Sequence, residues 1–517
     1  MLQLVIKSLI RVLLALPCAL IIAWVLFRLR MEYRLRSNPG VRGPALANNP
    51  FRAIFFFWEG AYMQATDQLL DFYDGLFNRF SPTCHLVELP FATRRIIITR
   101  DPEHIKTVLT SKFTSFGKGQ LFHDSWSPFL GDSIFTTDGT LWQRNRALLR
   151  PMFTRERVRD LDIFDRWTTR LVEKLPPDGF DVDVCDLFYR MTLDVTTDFL
   201  LGHGVGALDN PDGEFTRAFT DVQRKQMILT ILHVFRWFIP QGSYKSNIRI
   251  LERFIDPFIQ STLNLTPDQL THLSKSDRDF TFLHNIALLS RDPKVIRDQI
   301  MAVLLAGRDT TASTLSWTLY ELARRPDVWA KLRLRVLERV GEQRMPSYDD
   351  LKNLTYLTHT INETLRLWPA VPYNLRSCVE TSTLPGQPGE PDIAALPDDI
   401  IVYSTLAMQR RPDLYPPISP TFADPAIFSP DRWENWTPKP WQYVPFNGGP
   451  RICIGQNFAL TEMAFVLVRL LQKFERLEYR GNWSAQYHKT DIVGCPGQGV
   501  PVAFYRPKSC VELAPKS

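Results

Sequence analysis

One of the seven cysteines in this 517-residue chain, Cys453, is distinguished by the residues around it. It lies in the run FNGGPRICIG at 446–455, with glycines on both sides and Arg451 two residues before it. An apolar pattern of helical spacing follows at 458–474. The N-terminus of a helix lowers the pKa of a nearby thiol, and glycines let backbone N–H groups approach the sulfur. The pattern therefore predicts a low-pKa thiolate that binds a metal.

A second candidate for chemistry is the run AGRDTT at 306–311, which lies in a long helical pattern. Asp309 and Thr310 place an acid beside a hydroxyl, and such a pair can relay protons through water. Gly307 costs a helix about 1 kcal/mol relative to Ala, which indicates a reason for its presence. A surface helix with an Arg–Asp pair is the alternative, but the many hydroxyls of RDTTASTLSW weaken it.

Two further pairs lie one helical turn apart, and neither is informative alone. Trp142 and Arg146 would ordinarily be a core tryptophan beside a surface arginine. Glu363 and Arg366 would ordinarily be a surface salt bridge of little energy. The interpretation of both pairs depends on the rest of the chain.

Together these motifs resemble those of the cytochromes P450, in the order of that family. FNGGPRICIG is similar to the haem-binding signature, and AGRDTT to the oxygen-activating motif of the long central helix. ETLR at 363–366 resembles the family's Glu-x-x-Arg, and FSPDRW at 428–433 resembles the segment that supplies its third partner, here Arg432. The resemblance covers roughly residues 40 to 505.

The resemblance implies a mostly α protein with a small β-sheet lobe and a single large haem-containing domain. It also implies haem b as cofactor, with Cys453 as the iron ligand, because a thiolate favours O–O cleavage at haem iron. Asp309 and Thr310 become the catalytic proton relay, and the glutamate–arginine network is expected to be structural. The residues expected to bind the haem are Trp142, Arg146, Arg376, Phe446, Arg451 and Cys453.

The general pattern of the chain agrees with one large body and a small lobe. No Gly/Ser-rich linker or internal repeat divides it, although its length exceeds that of a usual single core. Strand-like runs at 85–110 lead into a short helix, 140–375 is mostly helical, and 379–445 is rich in proline and turns. A capping signal, Ser347 with Asp350, predicts the start of one helix that Pro369 ends. The net charge of +6 is too small to indicate nucleic-acid binding.

The N-terminus predicts a membrane anchor. Leu9 to Phe27 is a 19-residue apolar stretch with one charge, and arginines are denser after it than before it. We therefore expect a single-pass anchor in the endoplasmic reticulum with the catalytic domain in the cytosol. The expected divisions are an anchor with basic flank at 1–36, a Pro/Gly-rich tether at 37–50 and the catalytic domain at 51–517. A cleaved signal peptide is the alternative, but no small-residue cleavage site follows.

Further stretches resemble the fungal family 52 enzymes, which hydroxylate alkanes and fatty acids: DPEHIK, FLGDSIFTTDG, PYNLRS and AMQRRPDLY. This implies a small apolar, chain-like substrate, with a polyketide or terpenoid biosynthetic oxidase as the main alternative. An O2-independent isomerase or dehydratase, or a haem carrier, is disfavoured because Asp309 and Thr310 are present. No flavin or GxGxxG motif is found, so electrons are expected from NADPH through a separate cytochrome P450 reductase. The outward members of a basic cluster are hypothesised to help dock the reductase, with a solvated surface as the alternative. The cluster consists of Arg144, Arg146, Arg150, Arg155, Arg157 and Arg159.

Overall fold

The computed structural model describes residues 19, 21–47, 50–81, 83–91, 94–154, 159–275 and 280–507. The chain divides into two compact units. The smaller unit is built from Met1–Gly119, Tyr373–Met408 and Gly448–Pro450, and the larger from Gln120–Pro372, Gln409–Asn447 and Arg451–Ser517. Helices dominate and the sheets are small, which confirms the expected fold class.

The smaller unit is organised around a five-stranded sheet of order β1-β2-β8-β5-β3. Strands β2 and β8 run parallel, with Ile96 opposite Ile400, and the other neighbours are antiparallel. The run at 85–110 forms β1, β2 and α4, as its pattern predicted. The elements of this unit are α1 (21–36), α2 (Pro50–Ala65), α3 (Leu69–Asn78), β1 (Leu86–Phe91), β2 (Arg94–Thr99), α4 (Pro102–Lys106), β3 (Phe116–Gly117), β5 (Tyr373–Cys378), β6 (Ser382–Leu384), β7 (Ile393–Ala395), β8 (Ile400–Ser404) and α17 (Thr405–Gln409).

The segment expected to be a tether lies against this unit. Val41 forms a bridge with Ile393, and Ala45 forms one with Glu88. The C-terminal end of α1 is also packed. Met31 and Leu35 are buried in a small apolar cluster with Ala394 of β7 and with Leu396. Most of the predicted anchor, residues 9–18 and 20, lies outside the described residues. In the part that is described, no helix has the length and apolar character needed to cross a bilayer.

The larger unit is mainly helical, and its longest helix is α13, which has 32 residues. Two apolar cores lie along α13, one shared with α7, α8 and α19 and the other with α5, α9 and α10. The elements of this unit are α5 (Gly119–Leu130), α6 (Gly139–Leu149), α7 (Asp162–Glu173), β4 (Asp181–Asp183), α8 (Val184–Leu201), α9 (Glu214–Ile231), α10 (Gly242–Leu263), α11 (Pro267–Leu273), α12 (Phe282–Leu289), α13 (Pro293–Arg324), α14 (Pro326–Val340), α15 (Tyr348–Asn353), α16 (Thr355–Leu367), α18 (Arg432–Asn435), α19 (Gln456–Lys473), β9 (Arg476–Tyr479), β10 (His488–Thr490), β11 (Gly494–Pro496) and β12 (Pro501–Tyr505).

Local sequence explains how α13 begins and why it tolerates many hydroxyls. Asp292 caps it by accepting a hydrogen bond from the backbone N–H of Lys294, and Pro293 suits the first turn because it lacks an N–H. Within the helix, Thr314 donates to the carbonyl of Thr310 and Thr318 to that of Thr314. A hydroxyl that bonds within its own helix can be buried without an unpaired polar group.

The capping prediction was right about the cap and wrong about the helix. Ser347 and Asp350 form a capping box, but it begins the short helix α15. Leu354, at φ −80° and ψ 75°, leaves helical geometry, so α16 begins separately at Thr355. The predicted final helix at 458–474 is confirmed as α19. After it the chain forms the hairpin β10-β11 and the strands β9 and β12, which make a sheet of order β4-β12-β9 with the earlier strand β4.

Candidate active site

Cys453 lies three residues before the first residue of α19. Its backbone N–H donates to the carbonyl of Phe446 at 2.9 Å, which closes the intervening turn. Within that turn Gly449 has φ +64°, and a Cβ there would lie 2.0 Å from the carbonyl oxygen of Leu109. Only glycine fits this position, which explains one of the glycines in the motif.

Cys453 is exposed as a residue, yet the protein atoms packed around its sulfur make the thiol less acidic than usual. Burial by the surrounding protein raises the pKa of the thiol, while the backbone N–H of Gly455 and the charge of Arg146 act to lower it. In the chain without a bound metal, desolvation outweighs both contributions and the pKa of the thiol is raised. The low pKa expected of a metal-bound thiolate stays a prediction. An accessible thiol with these two neighbours is nonetheless suited to binding a cation.

Trp142 stands between two arginines. The guanidinium carbon of Arg451 lies 4.6 Å from the ring centroid of Trp142, and that of Arg146 lies 5.9 Å from it. Arg451 also donates through Nη2 to the Thr137 carbonyl at 2.9 Å and the Asp138 carboxylate at 2.5 Å. The structure thus brings together three of the residues predicted from sequence. Their binding to haem propionates stays a prediction.

Arg376 belongs to the smaller unit. It is buried on β5, where Nη1 donates to Asn374 Oδ1 at 3.2 Å and to the Leu375 carbonyl at 2.8 Å. Its Nε has no hydrogen-bond partner among the residues that the structure describes. Lys118, a buried cation overlooked in the sequence, donates to the same Asn374 oxygen at 3.2 Å. The sequence feature that marks Lys118 is its position between two glycines in FGKGQ.

The acid Asp309 and the hydroxyl residue Thr310 on α13 differ in how deeply they are buried. Asp309 is buried, and burial raises the pKa of its carboxyl while Arg308 acts to lower it. Thr310 is half-buried and donates to the carbonyl of Ala306 at 2.8 Å. The alternative of a solvent-facing Arg–Asp pair is wrong, because Arg308 is only 7% exposed and Asp309 only 3%.

Gly307 is approached closely by another helix, which supplies a reason for a glycine at this position. A Cβ at Gly307 would lie 2.7 Å from Oγ1 of Thr196 on α8. A methyl group there would push apart two helices that pack along each other. Gly307 therefore permits the tight contact between α8 and α13 beside the acid and the hydroxyl.

Glu462 on α19 is a second buried acid, and the sequence reasoning missed it. It is 1% exposed, and burial raises the pKa of its carboxyl to about 8, although Thr311 acts to lower it. Thr311 adjoins Thr310, so this acid lies near the predicted relay. A glutamate within the apolar helical run FALTEMAF was the signal for burial.

The predicted glutamate–arginine network is confirmed, and it is fully buried. Arg366 donates to both carboxylate oxygens of Glu363, at 2.8 and 2.9 Å, and Arg432 donates to one of them at 3.1 Å. Trp433 adds a hydrogen bond to Glu363 at 3.0 Å. Arg432 also donates to three backbone carbonyls of the proline-rich segment, those of residues 423, 424 and 427. The network therefore connects α16 to the turn-rich segment before Cys453.

These donors fit a haem-thiolate centre. Cys453 supplies an accessible soft ligand with an N–H donor and a cation beside it, which is what a metal-bound thiolate requires. Arg146, in the same unit as Cys453, supplies the guanidinium whose charge acts on the thiol. Thiolate and guanidinium are the complements of haem iron and of a haem carboxylate.

Comparison with known proteins identifies the family. The model of the family described as Cytochrome P450 matches residues 49–493, and the chain belongs to that family. It is therefore a cytochrome P450 monooxygenase, an oxidoreductase class that combines a haem-thiolate centre, O2 and electrons from a redox partner.

Its relatives agree with this assignment. The chain is 42% identical to the cytochrome P450 monooxygenase pvhE of Talaromyces variabilis, over 95% of each chain. It is 36% identical to cytochrome P450 52A1 of Candida tropicalis, over 84% of this chain and 82% of that protein. The crystal structure of the cytochrome P450DA haem domain shares the fold, with a TM-score of 0.74 at 22% identity over 91% of this chain and 98% of that one. The predicted resemblance to family 52 is thereby confirmed.

Proposed function

We propose that this monooxygenase hydroxylates an apolar, chain-like substrate, with Cys453 as the ligand of haem b. The overall change is R–H + O2 + two electrons + two protons giving R–OH + H2O. The observation that carries the proposal is the buried acid Asp309 followed by the half-buried hydroxyl of Thr310, on the central helix of a chain that belongs to this family. Electrons come from NADPH through a separate flavoprotein reductase.

The residues divide the work between binding and proton transfer. Bound haem supplies the oxygen chemistry. Cys453 would bind its iron and Phe446 would pack beside the thiolate. The residues that would bind its carboxylates are Trp142, Arg146, Arg376 and Arg451. Asp309 takes protons from solvent, and Thr310 passes them on through its hydroxyl. A buried acid suits this task because burial brings its pKa closer to neutrality, where it can both accept and release a proton.

An apolar substrate is supported by the side chains around α13. Residues of α5, α9 and α13 form one apolar cluster in which aromatic rings are prominent, with Phe129 and Phe219 6.3 Å apart between centroids. Apolar walls with few polar groups are typical of sites that bind lipid-like molecules. The family 52 resemblance favours an alkane or fatty acid, and a polyketide or terpenoid intermediate is the alternative.

The iron ligand is tested by the spectrum of the reduced, CO-bound protein. We expect Cys453→Ala to abolish the thiolate-type Soret band, because no other thiol lies in this motif. Cys84→Ala is the matched control, since Cys84 is a half-buried cysteine of the smaller unit, and it should keep the wild-type spectrum. A wild-type protein without the thiolate-type band, or a Cys453→Ala protein that retains it, would overturn the assignment.

The substrate class is tested by turnover with NADPH and reductase. Alkanes and fatty acids of increasing length are compared with polyketide and terpenoid compounds, and the products are identified by mass spectrometry. Terminal hydroxylation of the chains supports the proposed function, whereas oxidation of the second group alone supports the alternative. Conversion that needs neither NADPH nor O2 would instead indicate an isomerase or dehydratase.

We also infer that the N-terminus anchors the enzyme in the endoplasmic reticulum membrane, with the catalytic domain facing the cytosol. The support is the 19-residue apolar stretch Leu9–Phe27 with its arginine-rich flank. The described part of α1 supports this inference. Its apolar side chains Ile22 and Leu26 are 59% and 61% exposed in the protein, and a membrane would cover them with lipid.

A further inference from the structure

Arg308 is a buried arginine whose contacts come from two neighbouring helices. Its guanidinium carbon lies 5.1 Å from the ring centroid of Tyr189 on α8 and 5.4 Å from that of Phe219 on α9. Its Nε donates to the Tyr189 carbonyl at 3.3 Å, and Nη2 reaches the Thr220 hydroxyl at 3.5 Å. Two aromatic faces, one backbone carbonyl and one hydroxyl thus hold a cation that would otherwise be costly to bury.

The remaining guanidinium nitrogen faces Asp309. Nη1 of Arg308 lies 3.2 Å from Oδ1 of Asp309, and both side chains are less than one-tenth exposed. Gln223 on α9 is also buried, and its Nε2 has no hydrogen-bond partner among the described residues. Both Arg308 and Gln223 act to lower the pKa of Asp309, against the effect of burial. Arg308, at ion-pair distance, therefore favours the ionised form of the acid, and the buried Gln223 amide acts in the same direction.

We propose that Arg308 and Gln223 are positioning residues that keep the Asp309 carboxylate ionised and oriented for proton transfer to Thr310. This inference rests on the relay proposed above and extends it to two residues with no assigned role. The physical reason is that a buried carboxylate without a partner would take up a proton and keep it, and a relay group must also release one. Because Arg308 bonds to α8 and Gln223 belongs to α9, both helices control the acid.

The effect on pH dependence has a definite sign. The ionisable groups that face Asp309 are Arg308 on its own helix, Tyr189 on α8, and Asp491 and Cys495 from the β10–β11 hairpin. Among these four groups Arg308 is the cation, and it is the largest cause that lowers the pKa of Asp309. Its removal should therefore raise the pH at which Asp309 loses its proton.

The ionisation of Asp309 can be read without turnover. Infrared spectra of the substrate-free holoenzyme carrying ¹³C-labelled aspartate are recorded across pH, and the Asp309 band is assigned by its loss in Asp309→Asn. We expect the titration to move to higher pH in Arg308→Gln. A smaller move in the same direction is expected in Gln223→Leu, and a position near that of the wild type in Arg308→Lys.

Coupling of NADPH oxidation to product is measured on the same proteins. In Arg308→Gln we expect the yield of product per NADPH to fall about tenfold, with partial recovery in Arg308→Lys. The matched control is Arg297→Lys, because Arg297 is an α13 arginine paired with Asp256 at 2.8 Å, away from this cluster. It should leave both the titration and the coupling unchanged.

The outcomes separate this inference from the proposed relay. If Asp309→Asn uncouples the enzyme while both Arg308→Gln and Gln223→Leu leave titration and coupling unchanged, the positioning role is wrong and the relay stands. If Asp309→Asn itself leaves coupling unchanged, the relay is wrong, and the positioning role is rejected with it. If Arg308→Gln does not fold, the Arg308→Lys and Gln223→Leu titrations decide the question.

Discussion

At the scale of single residues, the environment of each side chain decides what chemistry is open to it. Cys185, Cys378 and Cys453 carry the same thiol group, yet of these three only Cys453 is exposed. Burial raises the pKa of all three thiols, and each has neighbours that act to lower it, which for Cys453 are the Gly455 backbone and Arg146. Accessibility, more than acidity, makes Cys453 the candidate ligand.

Thr310→Ala should separate electron consumption from hydroxylation. The variant keeps the helix but loses the hydroxyl that passes protons, so oxygen should leave as peroxide while NADPH oxidation continues. We expect product per NADPH to fall by roughly tenfold or more, measured together with peroxide release. Thr310→Ser retains the hydroxyl and should stay close to wild type. Full coupling in Thr310→Ala would contradict the assignment.

Glu462→Gln should make the protein more stable at alkaline pH. In the unfolded chain this carboxyl loses its proton near pH 4.5, whereas in the folded protein it keeps the proton up to about pH 8. The folded state therefore binds more protons in this range, and wild-type stability falls as pH rises from about 4.5 to 8. Glutamine has no proton to lose, so the variant should avoid a loss on the order of a few kcal/mol.

The measurement is the thermal midpoint at pH 5 and at pH 8. The difference between Glu462→Gln and wild type should grow in favour of the variant at the higher pH. Glu338→Gln is the control, because Glu338 is an exposed partner in a surface pair with Arg335. Parallel pH curves for Glu462→Gln and wild type would show that the carboxyl does not titrate as described.

At the scale of elements, buried polar contacts connect segments that are distant in sequence. Glu363 and Arg366 lie on α16, and Arg432 begins α18, yet the three side chains have no exposed surface. Gln409 adds a second connection, since it donates to the carbonyls of α16 and accepts from the Val444 N–H. The turn-rich segment before Cys453 thus depends on side-chain hydrogen bonds more than on regular structure.

Arg432→Ala should destabilise the protein strongly. It leaves the buried Glu363 carboxylate with fewer partners and frees three backbone carbonyls, and breaking a buried ion pair typically costs about 3–5 kcal/mol. Arg335→Ala removes one partner of an exposed pair on α14 and should cost less than about 1 kcal/mol. Chemical unfolding of the two variants, with haem content measured in parallel, tests this difference. Similar losses in both would refute a stabilising role for the network.

At the scale of the whole molecule, the N-terminal region has two different parts. The first part of α1 presents apolar side chains such as Leu26 and Leu29 to the surroundings. Its last turns are fixed, because Met31 and Leu35 pack with Ala394 and Leu396. The predicted boundary at residue 36 therefore cuts through packed structure.

Two truncations test this division. Deletion of residues 2–28 should release the enzyme from membranes while its thermal midpoint and CO spectrum stay unchanged. Deletion of residues 2–36 should release it as well but also lower its stability by about 3 kcal/mol or more, because it removes two buried apolar side chains. Membrane flotation and thermal unfolding are the measurements. Continued membrane binding by both truncated proteins would contradict the anchor.

The sequence by itself determined the family, the mostly helical fold, the cysteine at the centre and the acid–hydroxyl pair. Each of these depends on residue types at short, fixed spacing, which a sequence displays directly. The tertiary structure decided that Arg308 and Asp309 are buried together, that Thr196 is the partner of Gly307, and that Glu462 is a buried acid. Those facts depend on which helices pack against each other, and burial and charge from distant segments then fix the pKa of each group. Local spacing carries no record of those long-range contacts.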